Sequence, residues 1–124
     1  MIVSSGGENI APVPIENLLL NYDEIEQVLI FGHNKPFLTA IIVPNDTLIH
    51  DTQNIFEYNS LFQDIVNEAN KRLSQNKKIR KFLLTDQSFN IENGQLTPTL
   101  KMKRRVIEGE YNIKLESLYK KSYF

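Results

Sequence analysis

The stretch NGQLTPTLKMKRRVI, residues 93–107, gathers the side chains best suited to chemistry. A threonine–proline–threonine turn leads into Lys101, and Lys103, Arg104 and Arg105 follow at once. Pro98 stiffens the approach and cannot donate a ladder hydrogen bond, so the loop can aim one ammonium group. Such a point charge offsets repulsion when two anionic reactants are brought together. The same residues also read as a solvated basic surface, and spacing alone leaves both readings open. A second candidate is SSGGENIAP near the start, where Gly6 and Gly7 carry no Cβ. They let backbone approach a ligand closely, or simply make a tight turn between strands.

Other chemistries are poorly supplied. His33 and His50 have no acidic or histidine partner at a metal-ligand spacing, and a metal site needs three or four converging donors. No Ser/His/Asp arrangement is visible, and Asp86 and Glu92 do not form a marked acid–base pair. The absence of cysteine removes disulfides, thiol nucleophiles and cysteine-rich zinc sites together. Asn45-Asp46-Thr47 fits a glycosylation sequon. The opening MIVSSGGENI lacks the flank and apolar stretch of a signal peptide, so the sequon is read as chance and the expected location is cytoplasmic. No apolar run approaches the ~20 residues of a membrane helix.

Fourteen basic and fifteen acidic residues among 124 leave a net charge of −1, which disfavours bulk nucleic-acid binding. The cations are nevertheless clustered. KRLSQNKKIRK, residues 71–81, carries six, and KMKRR, residues 101–105, carries four.

These residues need elements to position them. The first twenty residues read as two short strands around a Gly6-Gly7 turn, then a helix from near Pro14 with Ile15, Leu18 and Leu19 on one face. Residues 28–31 and 37–43 are β-branched-rich runs split by GHNKP, a hairpin pattern. NSLFQDIVNEANKRLSQNKK carries an apolar stripe of Leu61, Phe62, Ile65, Val66, Ala69 and Leu73 at helical spacing. Ser60 with Gln63 suggests a capping box, and Lys77 and Lys78 suit the negative end of that helix. RKFLLTDQSFNIENGQLTPTL predicts a third strand with a turn at Asn93-Gly94, and RRVIEGEYNIKLESLY a last helix weakened at Gly109 by ~1 kcal/mol. The expected fold is α+β: a small mixed sheet of about three strands with helices packed on it, plus an N-terminal β-hairpin.

Taken together, SGGENIAPVPIEN (5–17), IEQVLIFGHNKPFLTAIIVPN (25–45), NGQLTPTLKMKRRVI and LESLY (115–119) resemble the C-terminal domain of an acyl-CoA synthetase, an adenylate-forming enzyme. The likeness is nearest to long-chain fatty acid–CoA ligases and is weakest over residues 46–58. It implies that a fatty-acid carboxylate attacks the α-phosphate of Mg2+-bound ATP, and that the thiol of coenzyme A then attacks the acyl-adenylate and expels AMP. It further implies a small domain, residues 1–124, that swings between two orientations against a large N-terminal domain, its partner, which binds ATP and fatty acid.

On this resemblance Lys101 is the lysine that reaches carboxylate and phosphate during adenylation, with Lys103, Arg104 and Arg105 secondary. Gly6, Gly7 and Glu8 line the channel for the pantetheine arm of coenzyme A. Many relatives place glycine before the lysine; here it is Leu100. The hinge and the N-terminal domain are expected to lie outside this chain, which alone should bind no cofactor and not catalyse. Membrane contact is an expectation for the parent enzyme only. The alternatives are a freestanding anion-binding module built on the two basic clusters and a regulatory module of the same fold without catalysis.

Overall fold

The computed structural model describes residues 1–47 and 55–120. The chain forms two compact units, Met1–Asp86 and the segment from Gln87 onward.

The first unit opens with an antiparallel hairpin of β1 (Ile2–Val3) and β2 (Asn9–Ile10), Ile2 facing Ile10. Helix α1 (Pro12–Leu20) begins two residues earlier than the sequence suggests. Pro12 and Pro14 both sit in its first turn, where a missing N–H costs no helical hydrogen bond. Strands β3 (Ile25–Phe31) and β4 (Leu38–Pro44) pair antiparallel through the GHNKP connection, as the two apolar runs predict. Every residue of β4 is buried, because it is the central strand: β5 (Ile79–Leu84) joins its other edge in parallel. A parallel neighbour requires a crossover, and α2 (Asn59–Asn70) supplies it. The strand order is β3-β4-β5.

Alternation selects the core. Val28 and Ile30, with Leu38, Ala40 and Ile42, present every second side chain to one sheet face. There they join Ile15 and Leu19 of α1 and Phe62, Ile65, Val66 and Ala69 of α2. Two polar side chains tie these layers together. Glu16, buried beside Ile15, accepts the N–H of Ile30 at 2.8 Å on edge strand β3. Asn70 both donates to the Ile79 carbonyl and accepts its N–H, each at 2.9 Å, fixing the end of α2 to the start of β5.

Several local expectations are corrected. Ser60 does not cap α2: a 3₁₀ turn at Ile55–Tyr58 runs straight into the helix, so Ser60 is already inside it. Gln63 donates to Asn67 instead, at 2.9 Å. Lys77 and Lys78 do not meet the end of α2, which stops at Asn70; Lys77 closes a separate 3₁₀ turn, Gln75–Lys77. The sequon Asn45 has a structural use. Its side-chain oxygen accepts both the N–H and the hydroxyl of Thr47, at 3.1 and 2.6 Å, and so turns the chain at the end of β4. His50 lies outside the described residues.

In the second unit the turn before Gln95 puts Gly94 at φ 74. A single bridge, Leu96 to Met102, joins the arms of a hairpin that leads into α3 (Arg104–Glu110). The final helix is interrupted. Tyr111, at φ −100 and ψ 11, separates α3 from α4 (Asn112–Ser117). The break falls two residues after Gly109, where helix propensity is weakest. Ile107 of α3 and Leu115 of α4 are both buried. The architecture is the expected α+β arrangement, with four helices, a three-stranded mixed sheet and a two-stranded hairpin among the described residues.

Candidate functional site

Lys101 is exposed and stands opposite Thr97 where the loop of the second unit's hairpin closes. Thr97 closes the loop from below. Its N–H donates to the Lys101 carbonyl at 2.8 Å, and its carbonyl accepts the Leu100 N–H at 2.8 Å. Its hydroxyl accepts the Lys101 N–H at 3.0 Å and lies 3.1 Å from the Thr99 hydroxyl. The result is a three-residue loop, Pro98-Thr99-Leu100, of the kind in which the last residue adopts the left-handed conformation. Leu100 does so, at φ 66. For a residue with a Cβ this costs about 1–2 kcal/mol, which explains why glycine suits the position before the lysine. Leu100 is also 67% exposed, so its side chain is not held there by burial.

The Gly6-Gly7 loop repeats this geometry. Ser4 donates to the Glu8 carbonyl at 2.9 Å and accepts the Gly7 N–H at 2.9 Å, while its hydroxyl accepts the Glu8 N–H at 3.1 Å. Gly7 takes the left-handed position at φ 83. The loop rests on the β3–β4 turn. Asn34 N–H donates to Val3 at 2.8 Å, Ser5 N–H to Lys35 at 3.0 Å, and Val3 N–H to His33 Nδ1 at 3.2 Å. The side-chain amide of Asn76 donates to the Glu8 carboxylate. Thus Gly6, Gly7 and Glu8 are brought together and presented, all three exposed. His33 works as a hydrogen-bond acceptor for backbone.

The remaining cations divide. Lys103 and Arg105 are exposed and Arg104 is half-buried. Arg104 and Arg105 occupy the first turn of α3, which contains no acidic residue. Cations there add to the positive end of the helix dipole instead of offsetting it. In the other cluster, Lys71 pairs with Glu68 at 3.2 Å, while Arg72 and Lys77 border an open cavity of about 220 Å³ beside Pro14 and Ile15. Among the described residues no group of three His, Asp or Glu gathers to hold a metal, and no helix is long and apolar enough to cross a membrane.

Sequence reasoning did not single out Gln95. It is buried, and its Nε2 donates to Glu110 Oε2 at 3.0 Å while its Oε1 accepts the Asn90 N–H at 3.2 Å. A glutamine between a turn and a hairpin carries no periodic signal. Glu16 did carry one: an acid placed between Ile15 and Leu19 on the apolar stripe of α1.

The chain belongs to the AMP-binding enzyme C-terminal domain family, whose model matches residues 1–123. It is 30% identical over 140 residues to a long-chain-fatty-acid–CoA ligase of Mycobacterium tuberculosis, covering 98% of this chain and 23% of that protein. A chloroplastic long-chain-fatty-acid–[acyl-carrier-protein] ligase of Arabidopsis thaliana is 31% identical, with 95% of this chain and 16% of that one covered. The chain therefore spans about a fifth of the length of these relatives. Among solved structures, the adenylation domain of a Mycobacterium chelonae carboxylate reductase matches with a TM-score of 0.83 at 24% identity, covering 95% of this chain and 19% of that one. That likeness is one of fold.

Proposed function

We propose that this chain is the mobile C-terminal part of an ATP-dependent long-chain fatty acid–CoA ligase, converting fatty acid, ATP and coenzyme A to acyl-CoA, AMP and pyrophosphate. Lys101 serves adenylation, and the Gly6-Gly7-Glu8 loop lines the passage for coenzyme A. The family match, together with names of relatives that act on long-chain fatty acids, supports the substrate class. The observation that carries the lysine's role is its place: exposed, directly after a proline-containing loop that the Thr97 hydroxyl closes.

The physical task is charge compensation. A carboxylate approaching a polyphosphate meets like charge, and the ammonium of Lys101 offsets it. One unit pair at 4 Å with an effective dielectric of ~20 contributes about 4 kcal/mol. Expressed only in the transition state, that is roughly a thousandfold in rate. The backbone of Gly6 and Gly7, free of Cβ, would contact the pantetheine arm by shape. Mg2+ bound to the nucleotide would neutralise phosphate charge; among the described residues no carboxylate set gathers to hold it.

The test uses the full-length ligase that contains this chain. Lys101→Ala should lower acyl-adenylate formation, read by pyrophosphate exchange, roughly a thousandfold. Thioester formation from supplied acyl-adenylate should stay within a few-fold. Equal loss in both half-reactions would overturn the assignment.

A further inference from the structure

We propose that Gln95 is a positioning residue for Lys101, fixing the angle between the lysine-bearing hairpin and helix α3 through its bond to Glu110. This rests on the adenylation role given to Lys101 above.

Thr97 closes the loop of the hairpin, but the arms behind that loop are short. Its arms share one bridge, Leu96 to Met102, and a two-stranded hairpin alone is marginally stable in water. Lys101 sits at its exposed end, so the direction of the ammonium must be set at the base. Gln95 is that base. Its backbone carbonyl accepts the N–H of Lys103, the N-cap residue of α3, at 2.7 Å. Its side chain donates to Glu110, the last residue of the same helix, at 3.0 Å.

One attachment point would let the hairpin pivot on the helix. Two attachments, at opposite ends of a seven-residue helix about 10 Å long, define an angle. The bond to Glu110 involves a carboxylate, which makes it stronger than a neutral pair. The other half of the amide accepts the Asn90 N–H, and the Gln95 N–H donates to the Asn90 carbonyl at 3.1 Å, so the preceding turn is locked to the same residue. Gln95 is only 3% exposed, and each of its side-chain polar ends has a partner. Positional accuracy matters to rate: a displacement of about 1 Å in a reacting group can cost about a hundredfold.

The test is a charge-swap cycle in the full-length ligase. Gln95→Glu sets two carboxylates against each other, and pyrophosphate exchange should fall about 10- to 100-fold in kcat. The KM for ATP should stay within about threefold, and thioester formation from supplied acyl-adenylate within about twofold. The double variant Gln95→Glu with Glu110→Gln restores a donor–acceptor pair of reversed polarity, and adenylation should return to within about threefold of the parent. Gln95→Met, which keeps the side chain's length but not its bonds, should show the same selective loss and serves where Gln95→Glu fails to fold.

Equal losses in both half-reactions, or a swap that fails to rescue, would overturn the proposal, as would unchanged adenylation. Lys101→Ala run alongside separates the two claims. If it divides the half-reactions and the Gln95 variants do not, only the positioning role falls. If it does not divide them, the functional reading falls and takes this inference with it.

Discussion

Ser4 and Thr97 make the same three hydrogen bonds around the same kind of loop. Each uses its N–H, its carbonyl and its hydroxyl to close a three-residue turn. Each is followed by a left-handed third residue, Gly7 or Leu100, and then by a presented side chain, Glu8 or Lys101. The two stretches singled out for chemistry are therefore one structural device used twice. The hydroxyl is what distinguishes it, because it satisfies the N–H of the residue being presented.

Thr97→Val tests that hydroxyl. The isosteric change leaves the Lys101 N–H without its side-chain acceptor and should lower stability by about 0.5–1.5 kcal/mol. Thr97→Ser should lose less than half of that. Urea denaturation of the two variants beside the parent gives the comparison; indistinguishable midpoints would show that the bond contributes nothing.

Leu100 carries backbone strain with no burial to offset it. Asparagine tolerates the left-handed region far better than leucine. Leu100→Asn should therefore raise stability by about 0.5–1 kcal/mol, seen as a higher thermal midpoint. A lower midpoint would mean that the leucine side chain is held by contacts its exposure does not reveal.

The paired glycines should behave differently from each other. Gly7 is left-handed at φ 83, and a Cβ there meets nothing within 4 Å, so Gly7→Ala carries a purely conformational cost of about 1–2 kcal/mol. Gly6 lies outside that region, and its Cβ would sit 3.8 Å from Ser4 Oγ, an ordinary contact. Gly6→Ala should stay within about 0.5 kcal/mol of the parent or stabilise slightly. Equal destabilisation by both would contradict the loop geometry.

Much of this was legible in the sequence for identifiable reasons. The β3–β4 hairpin was marked by two β-branched runs and a break rich in turn residues, and α2 by an apolar stripe at helical spacing, of which Leu73 falls past the helix end at Asn70. The capping box at Ser60 misled because a cap requires a non-helical entry, and the chain arrives already wound through Ile55–Tyr58. The lysines at 77 and 78 misled because a helix end was assigned from charge, while Asn70 ends α2 by pairing with Ile79. The break at Tyr111 was foreshadowed only by Gly109. Gln95 gave no signal, since its side-chain partners lie five and fifteen positions away and meet only when the turn and α3 are both formed. Leu100 showed as a departure from glycine, but its meaning required the φ angle.

The hydrogen bonds that seat Val3 and Ser5 on His33, Asn34 and Lys35 have a practical corollary. The contour of the opening turn is borrowed from residues some thirty positions downstream. Anyone transplanting it into a different host must therefore carry the whole stretch from Ile2 to Pro44; a graft of the glycines alone would arrive without its mould.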